Sequence, residues 1–330
     1  MNTFGKYFRC TTFGESHGAA LGAVVDGCPP GISFSKDDLL PLLARRRPGL
    51  SPLSSPRNEA DEPVILSGIF EGKTTGMPVA MAVYNTNQKS SDYESIKDLF
   101  RPGHADFTYQ AKYGVRDYCG GGRSSGRETV SRVLAGGLAM KLLSAGEISV
   151  SGRILEIHGE TNPALFEEKI LSAKEAGDSV GGIAEITISG CLPGLGSPVF
   201  DKLDSALASA IMSIGAVKGV EIGDGFLSAK KYGSENNDCM GKDGFLSNHA
   251  GGILGGISNG EDIIVRFAVK PTPSIKKEQR TVSKTGEETV ISTGGRHDPC
   301  IVPRIVVVAE CMAAITIADA ILAQNAIKMH

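Results

Sequence analysis

One pattern occurs twice in this chain and limits how it can fold. Residues 24–31 (VVDGCPPG) are echoed by residues 187–194 (TISGCLPG), and Asp37-Asp38-Leu39 by Asp201-Lys202-Leu203 at almost the same offset. Each stretch reads as a strand, a turn built on Pro and Gly, and the acidic start of a helix. An echo over about half of the chain predicts two similar halves packed around a shared core, although common turn chemistry alone also produces such a match. No polar low-complexity linker separates the halves. That favours one integrated domain over residues 1–330.

Periodicity supplies the elements. Residues 37–46 read as a helix with Leu39, Leu40, Leu42 and Leu43 on one face, ended by Pro48-Gly49. Residues 126–143 carry Val130, Val133, Leu134, Leu138 and Leu142 at helical spacing, directly after a glycine-rich loop. A last long helix is predicted within residues 305–326, and short strands at Val79–Tyr84, 183–189 and Ile263–Val269.

Lys and Arg total 34 against 37 Asp and Glu, so no global basic field exists to hold nucleic acid or an anionic membrane. Any anion site must be local. Seven Cys at positions 10, 28, 119, 191, 239, 300 and 311 form no C-x-x-C pair and are odd in number. This argues against a disulfide framework or zinc ribbon and fits reduced thiols in a cytoplasmic chain. The N-terminus has no apolar run, and no segment approaches the roughly 20 apolar residues that span a bilayer. The 42 Gly residues are clustered at 120–122, 251–252, 255–256 and 294–295, as where backbone approaches a ligand or turns tightly.

Some motifs mislead. Residues 14–18 (GESHG) satisfy the G-x-S-x-G nucleophile elbow, which makes a hydrolase using Ser16 one rival reading. The motif sits too early to follow several strands of a central sheet. Residues 68–74 (GIFEGKT) lack one residue of a P-loop, and no G-x-G-x-x-G marks a Rossmann site. His104 with Asp106 and His297 with Asp298 are possible metal ligands, but strand neighbours face opposite ways and a third cluster is lacking. No metal is expected.

The chemistry concentrates elsewhere. Residues 120–129 (GGGRSSGRET) put glycine backbone, Ser124, Ser125, Arg123 and Arg127 just before a helix, where free N–H groups and the helix dipole favour an anion. A serine N-cap with solvated arginines is the simpler alternative. Arg45, Arg46 and Arg47 gather positive charge at a helix C-terminus, itself a routine arrangement. Residues 101–104 (RPGH) and 294–300 (GGRHDPC) place titratable groups after turns, as catalytic loops do.

Taken together, residues 11–18 (TTFGESHG), 25–27 (VDG), 45–49 (RRRPG), 100–106 (FRPGHAD), 120–129, 217–225 (VKGVEIGDG), 248–252 (NHAGG), 270–274 (KPTPS) and 295–300 (GRHDPC) resemble the chorismate synthase family over nearly the whole chain. The resemblance implies an α+β fold, a β-α-β sandwich with helices packed between antiparallel sheets, assembled as a homotetramer. It implies a lyase of the shikimate pathway and aromatic amino acid biosynthesis. Its reaction converts 5-enolpyruvylshikimate 3-phosphate to chorismate and phosphate by 1,4-elimination, with reduced FMN required and no net redox change.

By the same resemblance His17 meets the leaving phosphate, His104 faces the reduced flavin, and Asp298, together with the flavin N5, takes the ring proton. Flavin contacts are expected from Arg123, Ser124, Ser125, Gly215, Ala216, Gly255, Lys270, Pro271, Thr272, Pro273, Ser274 and Arg296, and substrate contacts from Ser16, Arg46 and Arg127. NADPH is a candidate reductant, and an external flavin reductase is favoured because dinucleotide signals are lacking. Two positions depart from the family pattern: Pro52 stands where a second Arg is usual, with Arg57 as a substitute, and Gly215 stands where Asn is common. The second rival reading is a non-catalytic flavin- or anion-binding module.

Overall fold

The computed structural model describes residues 1–47, 49, 60–86, 93–94, 96–293 and 297–327. The first half contributes β1 (Thr3–Phe4), β2 (Arg9–Phe13), β3 (Ala20–Asp26), helix α1 (Leu40–Arg46), β4 (Pro63–Ile65), the small hairpin β5 (Ile69–Phe70) and β6 (Lys73–Thr74), β7 (Val79–Tyr84), α2 (Asp106–Tyr113) and α3 (Thr129–Ser144). The second half holds β8 (Ser149–Ile157), α4 (Phe166–Glu175), β9 (Gly182–Ser189), α5 (Leu203–Met212), β10 (Val217–Ile222) and α6 (Gly233–Asn236). Two short hairpins follow, β11 (Met240–Gly241) with β12 (Gly244–Phe245) and β13 (Ile253–Leu254) with β14 (Ile257–Ser258). The chain continues through β15 (Ile263–Val269), the hairpin of β16 (Gln279–Val282) and β17 (Glu288–Ile291), and α7 (Val302–Ile327).

The echo in the sequence is an echo in topology. One antiparallel sheet runs β1-β2-β3-β7-β4 and the other β10-β15-β9-β8. With β1 set aside, each half lays its strands in the same order: first, second, fourth, third. In each half a helix leaves the second strand and a long helix, α3 or α7, follows the fourth. The duplicated turn behaves alike at both places: Gly27 and Gly190 sit at φ of 88° and 83°, and Cys28 and Cys191 are both 3% exposed. Burial pushes both thiols up to about 11. They serve as small core hydrophobes, and all seven cysteines are free.

The layers follow from which faces are apolar. On β9, Ala184, Ile186 and Ile188 are fully buried, and on β15 Ile263, Val265 and Phe267 join them in the core. Helix α3 packs on β2, β3 and β7, and α7 packs on β8 and β9, so the helices lie between the two sheets. Gly136 in α3 permits that contact, since a Cβ there would lie 2.2 Å from the Cβ of Cys311 in α7. An interior helical glycine costs about 1 kcal/mol relative to Ala, and close helix packing is its return.

The strands at Val79–Tyr84 and Ile263–Val269 form at those bounds, and residues 183–189 form all but the first residue of β9. Three expectations need adjustment. The predicted helix at 37–46 is a 3-10 turn (Lys36–Asp38), capped by Ser35 and Asp38, then α1 after Leu39. Leu39 and Leu43 are buried but Leu40 is 43% exposed, because the break rotates it off the apolar face. Residues Gly126–Glu128 are likewise a 3-10 turn before α3. Finally, α7 is 26 residues long and contains an 18-residue window of mean hydropathy 2.2, so one segment does have the length and composition of a membrane span. It is a core helix, with 78% of that window buried, and its apolar residues pack on β8 and β9 and against α1, α3 and α5.

Candidate active site

Loops from both halves enclose a cavity of about 760 Å³, within the range of small-molecule sites. The β2–β3 connection supplies His17, the segment before α2 supplies His104, and the glycine loop before α3 supplies Arg123, Ser124, Ser125 and Arg127. The second half supplies Gly215 and Ala216 before β10, then Lys270, Thr272, Pro273 and Ser274 after β15, and Asp298 before α7. Pro271 lies between two lining residues without lining the cavity itself.

Three other expected residues do not reach the wall. Ser16 is fully buried, with its Oγ 3.1 Å from His17 Nδ1. Arg46 is also fully buried, one layer behind Arg127. Gly255 is at the β13–β14 turn, away from the lining residues. Arg296, Pro52 and Arg57 fall outside the described residues. The hydrolase reading loses its geometry, because Ser16 sits in a connection between antiparallel strands, whereas the nucleophile elbow is a strand-to-helix turn.

Two of the three glycines at 120–122 are shaped by the histidines as much as by any ligand. Gly120 has φ 74°, and a Cβ there would lie 2.2 Å from His17 Cε1. Gly121 has φ 85°, and its Cβ would lie 2.7 Å from His104 Cε1. One loop therefore seats both rings. Gly120→Ala is expected to displace His17 and lower turnover by about the 10²-fold that a misplacement near 1 Å costs. Gly215→Ala meets nothing within 4 Å and should change stability by less than about 0.5 kcal/mol. Steady-state rates and thermal melts of the two variants check this contrast.

The hydroxyls and guanidiniums have protein partners. Ser125 caps the turn after it, accepting from Arg127 N at 3.3 Å, as the simpler reading of the loop had it. Ser124 Oγ donates to Gly121 O at 2.7 Å, and Arg123 donates to Thr12 Oγ1 at 2.6 Å. The arginine run divides three ways. Arg45 makes a two-pronged bond to Glu310 at 2.6 Å for each prong, Arg47 donates to Ala60 O at 3.4 Å, and Arg46 pairs with the buried Asp61.

Asp61 is the centre of a buried charge cluster that no sequence pattern marked. It also accepts from Arg127 Nη1 at 2.5 Å, while Arg127 Nε donates to Asn85 Oδ1 at 3.0 Å. Burial opposes the Asp61 charge, but Arg46 and Arg127 outweigh it and hold the carboxyl below its usual range. Desolvation lowers Arg46 to about 10, and its Nε and Nη1 have no hydrogen-bond partner among the described residues. Arg304 links this cluster to the cavity. Its Nε donates to Arg46 O at 2.7 Å, and its guanidinium pairs with Asp298.

Around His104 a second cluster forms. Asp106, 3% exposed, accepts Arg101 N at 3.0 Å, Arg101 Nε at 2.8 Å and Arg101 Nη2 at 2.8 Å, and Arg116 Nη1 lies 3.1 Å away. Burial opposes its charge, yet Arg101 and His104 pull its pKa far down. For His104 burial lowers the pKa, Asp106 partly restores it, and Arg101 and Lys270 lower it again. A carboxylate depressed in the folded chain stabilises it above its unfolded pKa of about 4 and ceases to as pH falls. Since Asp61 and Asp106 both behave so, the melting temperature should drop steeply below about pH 4. A melting temperature that is flat from neutral pH to about pH 3 would contradict these pairings.

The charges of the wall are one-sided. Arg101, Arg123, Arg127, Arg132, Lys218, Lys270 and Arg304 line the cavity against Glu128 and Asp298. A chain with net charge −3 thus concentrates cations where an anionic ligand would sit. Arg101, Arg132, Lys218 and Arg304 carried no assigned role in the sequence reading. Arg101 lay inside a quoted motif, and Arg304 lies six residues after Asp298, but Asp61 had no local signal at all.

An antiparallel α+β sandwich with an internal repeat, holding a cationic cavity lined by three histidines and Asp298, has the features of an enzyme that acts on anionic small molecules. The family model for chorismate synthase matches residues 8–322. Chorismate synthase of Maridesulfovibrio salexigens is 52% identical over 98% of each chain, and that of Methanosarcina barkeri 54% identical over 97% of this chain and 96% of its own. A crystal structure of chorismate synthase superposes with a TM-score of 0.75 at 31% identity, covering 97% of this chain and 93% of that one. The chain belongs to the chorismate synthase family, lyases that catalyse the final step of the shikimate pathway in aromatic biosynthesis.

Proposed function

We propose that this cavity converts 5-enolpyruvylshikimate 3-phosphate to chorismate and phosphate by 1,4-elimination, with reduced FMN required and not consumed. The observation that carries the reading is the convergence of His17, His104 and Asp298 on a wall rich in cations. Expelling phosphate and removing an unactivated ring proton are different tasks, which calls for separate groups.

His17 donates a proton or hydrogen bond to the departing phosphate, with Ser16 Oγ steadying its Nδ1. Asp298 receives the ring proton, and Arg304 fixes its carboxylate. His104 faces the flavin and stabilises its anionic form. Arg127, backed by Arg46 and Asp61, meets the substrate's carboxylates and phosphate as a rigid donor. Cavity volume and charge fit a phosphorylated cofactor beside such a substrate, held by Arg123, Ser124, Ser125, Gly215, Ala216 and residues 270–274. Arg296 completes the set proposed from the resemblance, while Gly255, at the β13–β14 turn, is not among the residues lining the cavity. Bound there, reduced FMN supplies electron density that lets phosphate leave without net redox change.

Residues 1–330 act as one unit in the cytoplasm, as a homotetramer, with no nucleic-acid or membrane partner. Exposed apolar side chains such as Phe200 at 92% and Tyr232 at 79% support burial against further copies. The flavin is reduced by an external reductase; NADPH is the alternative source. Phosphate release with dithionite-reduced FMN, compared with NADPH plus oxidised FMN, tests the cofactor and its supply together. Turnover only in the first supports the reading, and equal turnover in both moves the reductase into this chain. FMN uptake with the substrate left intact supports the binding-module rival instead.

A further inference from the structure

We propose that Arg101 and Asp106 are a positioning pair that decides which ring nitrogen of His104 carries a proton. Arg101 keeps Nδ1 as an acceptor in the ligand-free chain, and Asp106 receives an Nδ1 proton once negative charge enters the cavity. The functional part of this inference rests on the proposed role of His104 beside an anionic flavin; its structural part does not.

Two incompatible demands meet at one atom. Arg101 Nη2 lies 3.2 Å from His104 Nδ1, and a guanidinium only donates, so that contact requires a lone pair on Nδ1 and places the neutral ring's proton on Nε2. Asp106 Oδ1 lies 3.4 Å from the same Nδ1, and a carboxylate only accepts, so that contact requires an N–H there. Neither partner can drift. Arg101 is 5% exposed and bound to Asp106 through its backbone N, Nε and Nη2. Arg116 braces the other side of the carboxylate, and the Arg101 guanidinium lies 5.8 Å from the centre of the Tyr93 ring. The ring is confined as well, because Gly121 leaves no room for a Cβ against its Cε1. Among the described residues Nε2 has no protein hydrogen-bond partner, so it is the nitrogen offered to a ligand.

Charge decides between the two demands. Arg101 and Lys270 are cations beside the ring, Arg116 pairs with Asp106, and Asp106 is the single carboxylate within ion-pair distance of the ring among the described residues. That balance favours the neutral ring. An anion beside Nε2 reverses it. His104 then takes one proton from solvent, Nε2–H points to the anion, and Nδ1–H is accepted by Asp106 with no movement of either side chain. Asp106 and Arg101 are thus positioning residues, acting through His104.

Nitrogen-15 NMR of the histidine rings in the full chain tests this, with His104 assigned by its loss in His104→Ala. The ligand-free chain should show the neutral Nε2–H tautomer at neutral pH. Asp106→Asn should lower the His104 pKa, and Arg101→Gln should raise it, each by about one unit or more. Arg101→Gln should also shift the tautomer towards Nδ1–H. If Asp106→Asn does not fold, the Arg101→Gln shift decides alone. A dominant Nδ1–H tautomer in the ligand-free wild type, or a His104 pKa that Arg101→Gln leaves unchanged or lowers, overturns the proposal. If these shifts are found while His104→Ala turns over normally, the pair stands and the assigned role of His104 falls.

Discussion

Asp61→Ala should destabilise the chain by about 3–5 kcal/mol, the cost of removing one partner from a buried ion cluster. The side chains of Asp61 and Arg46 are 0% and 1% exposed, and that of Arg127 is 4%. Without the carboxylate, two buried guanidiniums would repel each other with no counter-charge between them. Arg46 already holds two N–H groups without a partner among the described residues, so it has no spare compensation. Asp61→Asn keeps the shape but not the charge, and should be nearly as damaging. Denaturant unfolding of both variants gives the measurement. A loss below about 1 kcal/mol, the value of an exposed pair, would show that solvent reaches this cluster.

Separate replacement of His17, His104 and Asp298 should lower turnover by roughly 10²- to 10⁴-fold each, the usual worth of a general acid or base. Folding should be spared more than with Asp61. His17 rests on Ser16 and, ring to ring, on Tyr93 at 5.3 Å, and its loss opens space on a cavity wall. Asp298→Ala frees Arg304, which still donates to Arg46 O. His104→Ala leaves Asp106 bound by Arg101 and Arg116. Near-wild-type rates in all three variants would remove the proposed division of roles and leave the fold standing.

How far the sequence revealed this molecule depends on whether each signal was local. The strands β7 and β15 are short runs of apolar and β-branched residues whose pattern is complete within their own bounds. The duplicated turn around Cys28 and Cys191 exposed the repeat because the same backbone path twice demands glycine and proline at the same places. The length of α7 was underestimated since its first residues, Val302 to Arg304, follow a Pro-Cys turn and mix apolar with charged groups. Leu40 was placed on the apolar face because periodicity cannot register the break at Leu39. Loop motifs located most of the cavity wall, yet the reasons for their composition differed from those first read. Gly120 and Gly121 make room for imidazoles, and Ser125 caps a turn. Asp61 was invisible because its meaning lies in Arg46 and Arg127, 15 and 66 residues away along the chain.

The most direct measurement is an anaerobic reaction with 5-enolpyruvylshikimate 3-phosphate, following chorismate, phosphate and flavin absorbance together. Chorismate and phosphate should form in equal amounts only when reduced FMN is present, over many turnovers, with the flavin still reduced at the end. Equal phosphate release without flavin, or one flavin oxidised for each chorismate formed, would contradict the account.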